Sequence, residues 1–159
     1  MKAFTAGALV AAASATDLKL SWSDCGDAST KVKIASFTPS TLTLGQKTTM
    51  TGTGNLGEDV AGATFDLEMT GAIGKLVSCT GDASAAKTCS LPLGTGSLTF
   101  DAMTFPLKAG STNVNVDIAL SSAVPASLQT TDTKCTASSS SGDKLFCIDI
   151  KSAPAAIVV

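Results

Sequence analysis

Asn113-Val114-Asn115-Val116-Asp117-Ile118-Ala119-Leu120 alternates apolar and polar side chains without a break, placing Val114, Val116, Ile118 and Leu120 on one side and Asn113, Asn115 and Asp117 on the other. Successive side chains of a strand point to opposite faces, so this stretch reads as a strand with one buried and one wet face. That habit belongs to antiparallel sheets, because parallel sheets are covered on both faces. The same period organises Ala63 to Thr70, with Phe65, Leu67 and Met69 facing inward and Asp66, Glu68 and Thr70 outward. It recurs more weakly in Leu18-Leu20-Trp22, Val32-Ile34, Leu42-Leu44 and Phe146-Ile148-Ile150. Turn signals separate these runs: Pro39-Ser40, Gly54-Asn55-Leu56-Gly57, Gly71, Gly81-Asp82, Gly94-Thr95-Gly96, Lys108-Ala109-Gly110 and Ser141-Gly142-Asp143. Roughly seven or eight short strands at such spacing, with no convincing helix and no internal repeat, indicate an all-β sandwich or barrel.

The flanks carry other signals. The chain has 159 residues, room for one domain with a real core. Residues 1–15 place Lys2 before an apolar run from Ala3 to Ala13 and end in the small triplet Ala13-Ser14-Ala15, the pattern of a secretory signal peptide cleaved before Thr16. The domain is then expected over 16–159. Ser127 to Ser141 is dominated by Ser and Thr and reads as a mobile connection before the last strand. Ala153 to Val159 is apolar but short, and reads as an edge strand or frayed tail.

Composition removes whole classes of chemistry. The sequence holds no histidine and no tyrosine, and its eleven basic residues are all lysine. Ser-His-Asp and Cys-His catalysis need an imidazole, as do histidine-bearing zinc sites, and no CxxC pair offers a thiolate site. A formal net charge of -2 disfavours nucleic acid and other polyanions as partners. Acid pairs such as Asp24 with Asp27 or Asp66 with Glu68 read as wet strand faces rather than as a general acid and base. Neither an enzyme nor a cofactor is expected.

Export explains the cysteines, because disulfides persist in oxidising compartments. Cys25, Cys79, Cys89, Cys135 and Cys147 leave one over, and several pairings are open. Position favours Cys79 with Cys89 across a short polar excursion, and Cys25 with Cys147 as a clamp on the ends of the sandwich. Cys135 is then unpaired: buried, linked to another chain, or exchanging with Cys147. As a nucleophile it would need Lys134 or a helix terminus to lower its pKa. Phe65, Leu67, Met69, Leu98, Phe100, Met103, Phe105, Val114, Val116, Ile118, Leu120, Phe146 and Ile148 form an aliphatic and phenylalanine face with almost no hydrogen-bonding members. Composition does not distinguish a filled core from an open one, and on its own it favours an ordinary packed core.

The segments Ser21 to Asp27 (SWSDCGD), with the VKI strand that follows, and Ser139 to Ile150 (SSSGDKLFCIDI) resemble the first- and last-cysteine motifs of the ML lipid-recognition family. That family includes the ganglioside activator protein, the Niemann-Pick type C lysosomal sterol carrier and the group 2 mite allergens. CSLPLGTGSLTF from Cys89 and FPLKAGSTNVNVDIAL from Phe105 are similar to its middle, so the resemblance spans about residues 17 to 151. It implies an immunoglobulin-like sandwich of two antiparallel sheets with a lipid cavity between them, and the pairs Cys25-Cys147 and Cys79-Cys89. The chain lacks the further disulfide that sterol carriers and mite allergens place between the second and third strands, the richer set of the ganglioside activator is absent, and Cys135 has no counterpart.

The resulting expectation is a secreted or endolysosomal carrier holding a sterol, phospholipid or glycolipid. Its wall residues are Phe65, Leu67, Met69, Leu98, Phe100, Met103, Phe105, Val114, Val116, Ile118, Phe146 and Ile148. Leu76, with Val77 and Lys75, forms an apolar rim able to touch a membrane. Further contacts are a receptor or enzyme, and the chain is a monomer or small oligomer. The rival expectation is a secreted structural or adhesive sandwich with a filled core, in which Cys135 links subunits.

Overall fold

The computed structural model describes residues 17–155, so the expected signal peptide and the last four residues lie outside the described part. Eleven strands are present there: β1 (Asp17–Asp24), β2 (Val32–Thr38), β3 (Thr41–Thr43), β4 (Lys47–Leu56), β5 (Ala63–Gly71), β6 (Gly74–Asp82), β7 (Lys87–Ser90), β8 (Gly96–Phe100), β9 (Gly110–Leu120), β10 (Thr131–Ser139) and β11 (Lys144–Pro154). They form two antiparallel sheets, in the orders β3-β1-β11-β10-β5-β6 and β2-β4-β9-β8-β7, packed face to face. Among the described residues, the only helical elements are 3-10 turns at Pro92–Gly94 and Ala126–Leu128. This is the all-β sandwich that the alternation of β9 and β5 indicates.

Several local expectations are corrected. Ser127 to Ser141 is no mobile connection: β10 occupies most of it and lies between β5 and β11. Its inward side carries Thr133, Cys135 and Ala137, all buried. Threonine suits a pleated, half-buried surface, so the tract obeys a strand's period although its composition resembles a loop. Of the C-terminal tail, Ala153 and Pro154 end β11 opposite Lys19 and Leu18 of β1, and residues 156–159 lie outside the described part. β4 runs through Gly54 and Asn55 to Leu56, and β6 through Gly81 to Asp82, so two expected turns begin later than their glycines suggest. Trp22, expected on the inward set of β1, is 36% exposed.

Both long margins of the sandwich are closed. On one, β6 and β7 are the last strands of the two sheets, and the Cys79–Cys89 disulfide joins them with a Cα–Cα distance of 6.1 Å. Packed sheets ordinarily lie about 10 Å apart, so the bond pinches this margin. Phe65 of β5 stacks beside it on Phe100 of β8, ring centroids 4.3 Å apart. On the other margin, Thr38-Pro39-Ser40-Thr41 carries the chain from β2 in one sheet to β3 in the other. There Met50, fully buried, packs with Leu18 and Leu42.

The second disulfide, Cys25–Cys147, ties the residue after β1 to its neighbour strand β11, with Cα atoms 4.9 Å apart. It anchors the crossover from β1 to β2 at one end of the molecule rather than clamping two opposite ends. It closes a span of 122 residues against 10 for Cys79–Cys89. In the chain-entropy account these restrict the unfolded state by about 5 and about 3 kcal/mol respectively. Urea unfolding of Cys25→Ser/Cys147→Ser and Cys79→Ser/Cys89→Ser double variants should therefore show the larger loss in the first. The reverse order would mean that the pinched margin contributes more than loop closure.

Candidate functional site

Between its two closed margins the sandwich is hollow. On the central strand β9, Val114, Val116, Ile118 and Leu120 face inward yet remain half-buried. In a filled core the inward residues of a central strand would be the most buried of all. They instead line a cavity of about 240 Å³ that extends through the interior. Part of the opening is made by β4, whose inward positions run Met50, Gly52, Gly54, Leu56: at Gly52 no side chain fills the space, while at Gly54 the neighbouring strand comes close instead. A Cβ on Gly54 would strike Val32 and the Lys33 carbonyl, whereas one on Gly52 would find its nearest neighbour, Phe37, at 3.6 Å.

The expected wall residues fall as follows. Phe65, Leu67 and Met69 on β5, Leu98 and Phe100 on β8, Val114, Val116 and Ile118 on β9, and Phe146 and Ile148 on β11 line the cavity, as do Leu76 on β6 and Met103 in the segment after β8. Phe105 is the exception: it packs half-buried on the main core from outside the lining. The chain leaves strand geometry after Phe100, so alternation no longer aims side chains there, and Leu107, bridged to Val60, takes the lining place instead. The expected rim divides. Lys75 is exposed and pairs with Glu68 at 3.2 Å, Leu76 turns into the cavity, and Val77 is buried in the core.

Residues that sequence reading passed over complete the wall. Thr131, Thr133, Cys135 and Ala137 of β10 line it, as do Leu128 and Val124 before that strand. The signal was present as strict alternation in TDTKCTA, hidden by its serine and threonine content. Among the described residues the only charged one on the lining is Asp101, itself exposed, and no lysine among them faces the cavity. Asp101, Met103, Leu107 and Thr112 also border a polar depression of about 180 Å³, completed by Ala102, Thr104, Asn113 and Asn115.

Cys135 lies on the inward face between Leu67 and Ile148, without a disulfide. Burial, with a smaller contribution from Asp66, pushes its thiol up to about 12. A nucleophile needs the thiolate, so the environment works against catalysis. It also denies another chain's thiol access to this sulfur in the folded state. The acid pairs serve the framework. Asp24 accepts the backbone N–H groups of Gly26 and Ile34. Asp27 is held below the usual carboxylate range, first by hydrogen bonds from the Ser29 side chain and backbone, with Lys144 assisting. Among the described residues, no cluster of His, Cys, Asp or Glu could hold a metal ion.

Two sheets pinned at their margins thus enclose an apolar hollow that no lysine among the described residues faces. Residues 19–153 match the family model of the ML domain, and the chain belongs to that family. Membership carries a lipid-binding role in general, in a family that is generally non-enzymatic, and its disulfides fit extracellular or lysosomal lumen proteins. No curated protein sequence matches the chain closely enough to add a named relative.

The buried thiol makes a direct prediction. Native protein should show no reactive thiol towards an aromatic disulfide reagent, and one per chain in guanidinium. The proton is held more tightly in the native state (pKa about 12) than at the ordinary value of 9.0. Unfolding free energy should therefore fall as pH rises through that interval, and Cys135→Ala should fall less steeply. A thiol that reacts at the same rate in both states would contradict the burial.

Proposed function

We propose that the protein is a lipid carrier that enters the secretory route and works outside the cell or in the endolysosomal lumen. The half-buried inward face of β9 carries this reading: a central strand whose valines and isoleucine face a hollow needs an apolar occupant to complete its packing. Each methylene brought into such a wall contributes about 0.8 kcal/mol. A charged head group has no counter-ion inside and stays out, where the polar depression beside Asp101 and Asn113 offers hydrogen-bonding groups. The ligand is a sterol, a phospholipid or a glycolipid, held and handed on without chemistry. A structural module with a filled core would have no use for the hollow.

Native mass spectrometry of protein from a eukaryotic secretory host, followed by solvent extraction, should find a stoichiometric lipid. Gly52→Val and Val116→Trp place side chains in the hollow and should reduce bound lipid several-fold while leaving the far-ultraviolet circular dichroism of the fold intact. An empty wild-type protein that takes up no lipid would overturn the reading.

Exchange with a membrane is supported by two side chains. Ile73, in the β5–β6 hairpin, is 75% exposed and Leu93, between β7 and β8, is 84% exposed. The pairing registers place both connections at the same end of the sandwich, one on each sheet. Two large apolar tips that share one end fit insertion into a lipid surface. Ile73→Asp/Leu93→Asp should slow transfer of a fluorescent lipid between vesicles at least tenfold without weakening its binding; unchanged transfer would place the membrane contact elsewhere.

A further inference from the structure

On the outer face of the six-stranded sheet, β10 presents Asp132 and Lys134 and β11 presents Asp149 and Lys151. The register sets Asp132 opposite Lys151 and Lys134 opposite Asp149. Lys151 is committed to Asp132, donating to its Oδ2 at 2.9 Å. Lys134 takes part in none of the ion pairs among the described residues. Asp149 is thus left without a cation in contact. Its Oδ1, shut off from solvent, is the one buried side-chain oxygen or nitrogen among the described residues that has no hydrogen-bond partner. The flanking strands bring no relief. β1 sets Ser23 opposite Asp149 and Ser21 opposite Lys151; β5 sets Thr70 opposite Asp132 and Glu68 opposite Lys134, with Glu68 already held by Lys75 at 3.2 Å. A bare buried oxygen on an ionised carboxylate is costly, and a proton on Asp149 lets that carboxyl donate to the neighbouring Asp132 instead.

We propose that Asp149 and Asp132 share one proton across the β10–β11 seam, forming an acid-operated clasp that makes the fold more stable in an acidic lumen than at neutral pH. The clasp goes beyond the carrier reading and favours the endolysosomal lumen over the outside of the cell, the two destinations which that reading leaves open. It backs the container directly, because the same two strands carry Thr131, Thr133, Cys135, Ile148 and Ile150 of the cavity wall on their other face. The two titrations run in the directions a shared proton demands. The hydrogen bond with Asp132, then burial and the Asp132 charge, hold Asp149 above the usual carboxylate range. Hydrogen bonds from Asp149 and Lys151 hold Asp132 below it. Carboxyls this close give up their protons as a pair. A group whose pKa is raised by folding contributes stability that is present at low pH and lost as the pH rises through its folded-state value. The lowered Asp132 acts in the opposite sense, at lower pH, as the pH falls through its own folded-state value. The chain has no histidine, the side chain that ordinarily titrates between pH 5 and 8, so little else competes with the pair there.

The test is thermal unfolding of the delipidated protein across pH 5 to 7.5, paired with carbon-13 NMR of its carboxyl groups. Wild type should melt about 2–4 °C lower at the neutral end. Asp149→Asn, whose amide donates to Asp132 at every pH, should keep its Tm across the interval and exceed wild type at pH 7.5. Asp132→Asn, whose amide donates to an ionised Asp149, should flatten the profile as well. Wild type and variants share every other titrating group, so the difference belongs to the pair. The NMR titration of wild type should show one aspartate losing its proton at higher pH than the others, and that signal should be missing from Asp149→Asn. A wild-type Tm unchanged from pH 5 to 7.5, a slope that persists in both variants, or no late-titrating aspartate would overturn the clasp. None of these measurements involves a lipid, so an empty cavity on extraction would overturn the carrier reading and leave the clasp standing.

Discussion

The spacing between the two sheets governs everything else in this molecule. At the β6/β7 margin a covalent bond holds Cys79 and Cys89 with Cα atoms 6.1 Å apart, and Phe65 stacks on Phe100 beside it. At the other margin Met50, Leu18 and Leu42 close the gap with a small, well-filled cluster. Between these supports the sheets are spanned by neither a bond nor complete packing, so the strands in the middle, β9 above all, are left with an unfinished apolar face. The hollow follows from fixing the margins while leaving the centre short of side-chain volume, most plainly at Gly52.

The chemistry of the wall follows from the same economy of polar groups. A protein without tyrosine or histidine has few side chains that could reach from the wall towards a ligand, and the lysines among the described residues stay outside the cavity. Selectivity inside must then come from shape and from a handful of threonines and serines. Cys135, also on the wall, is kept inert by the burial that places it there.

Much of this was legible in sequence where polarity and period agreed. NVNVDIAL and the Ala63 to Thr70 run named their strands and their inward residues, and the cysteine order with its flanking motifs pointed to the family and to both disulfides. Legibility failed where composition and period disagreed. The alternation of Thr131, Thr133, Cys135 and Ala137 was complete, but threonine and serine are as common in loops as in strands, and only the neighbours on β5 and β11 show which they are. Gly54 in β4 looked like a turn because a glycine that makes room for a neighbour and one that bends the chain are the same letter. Phe105 was placed on the wall by its apolar character alone, and because the strand stops at Phe100 it packs on the core from outside the lining. The emptiness of the core was beyond sequence, because a wall facing a ligand and a wall facing another wall need the same residues.

The pairing of the first strand with the last has a consequence for how the protein comes into being. Leu18 lies opposite Pro154, and β1 is held between β11 and the three-residue β3. A chain emerging from the ribosome can assemble β4 to β9 early, but β1 must wait for nearly the whole sequence before its main partner exists. Such distant pairing makes for slow folding. Until then Cys25 has no native partner, and Cys135 is synthesised before Cys147, the residue to which Cys25 is bonded. Once β10 lies between β5 and β11, burial withdraws Cys135 from thiol exchange, so the strand that lines the cavity also removes the one cysteine that could compete with Cys25.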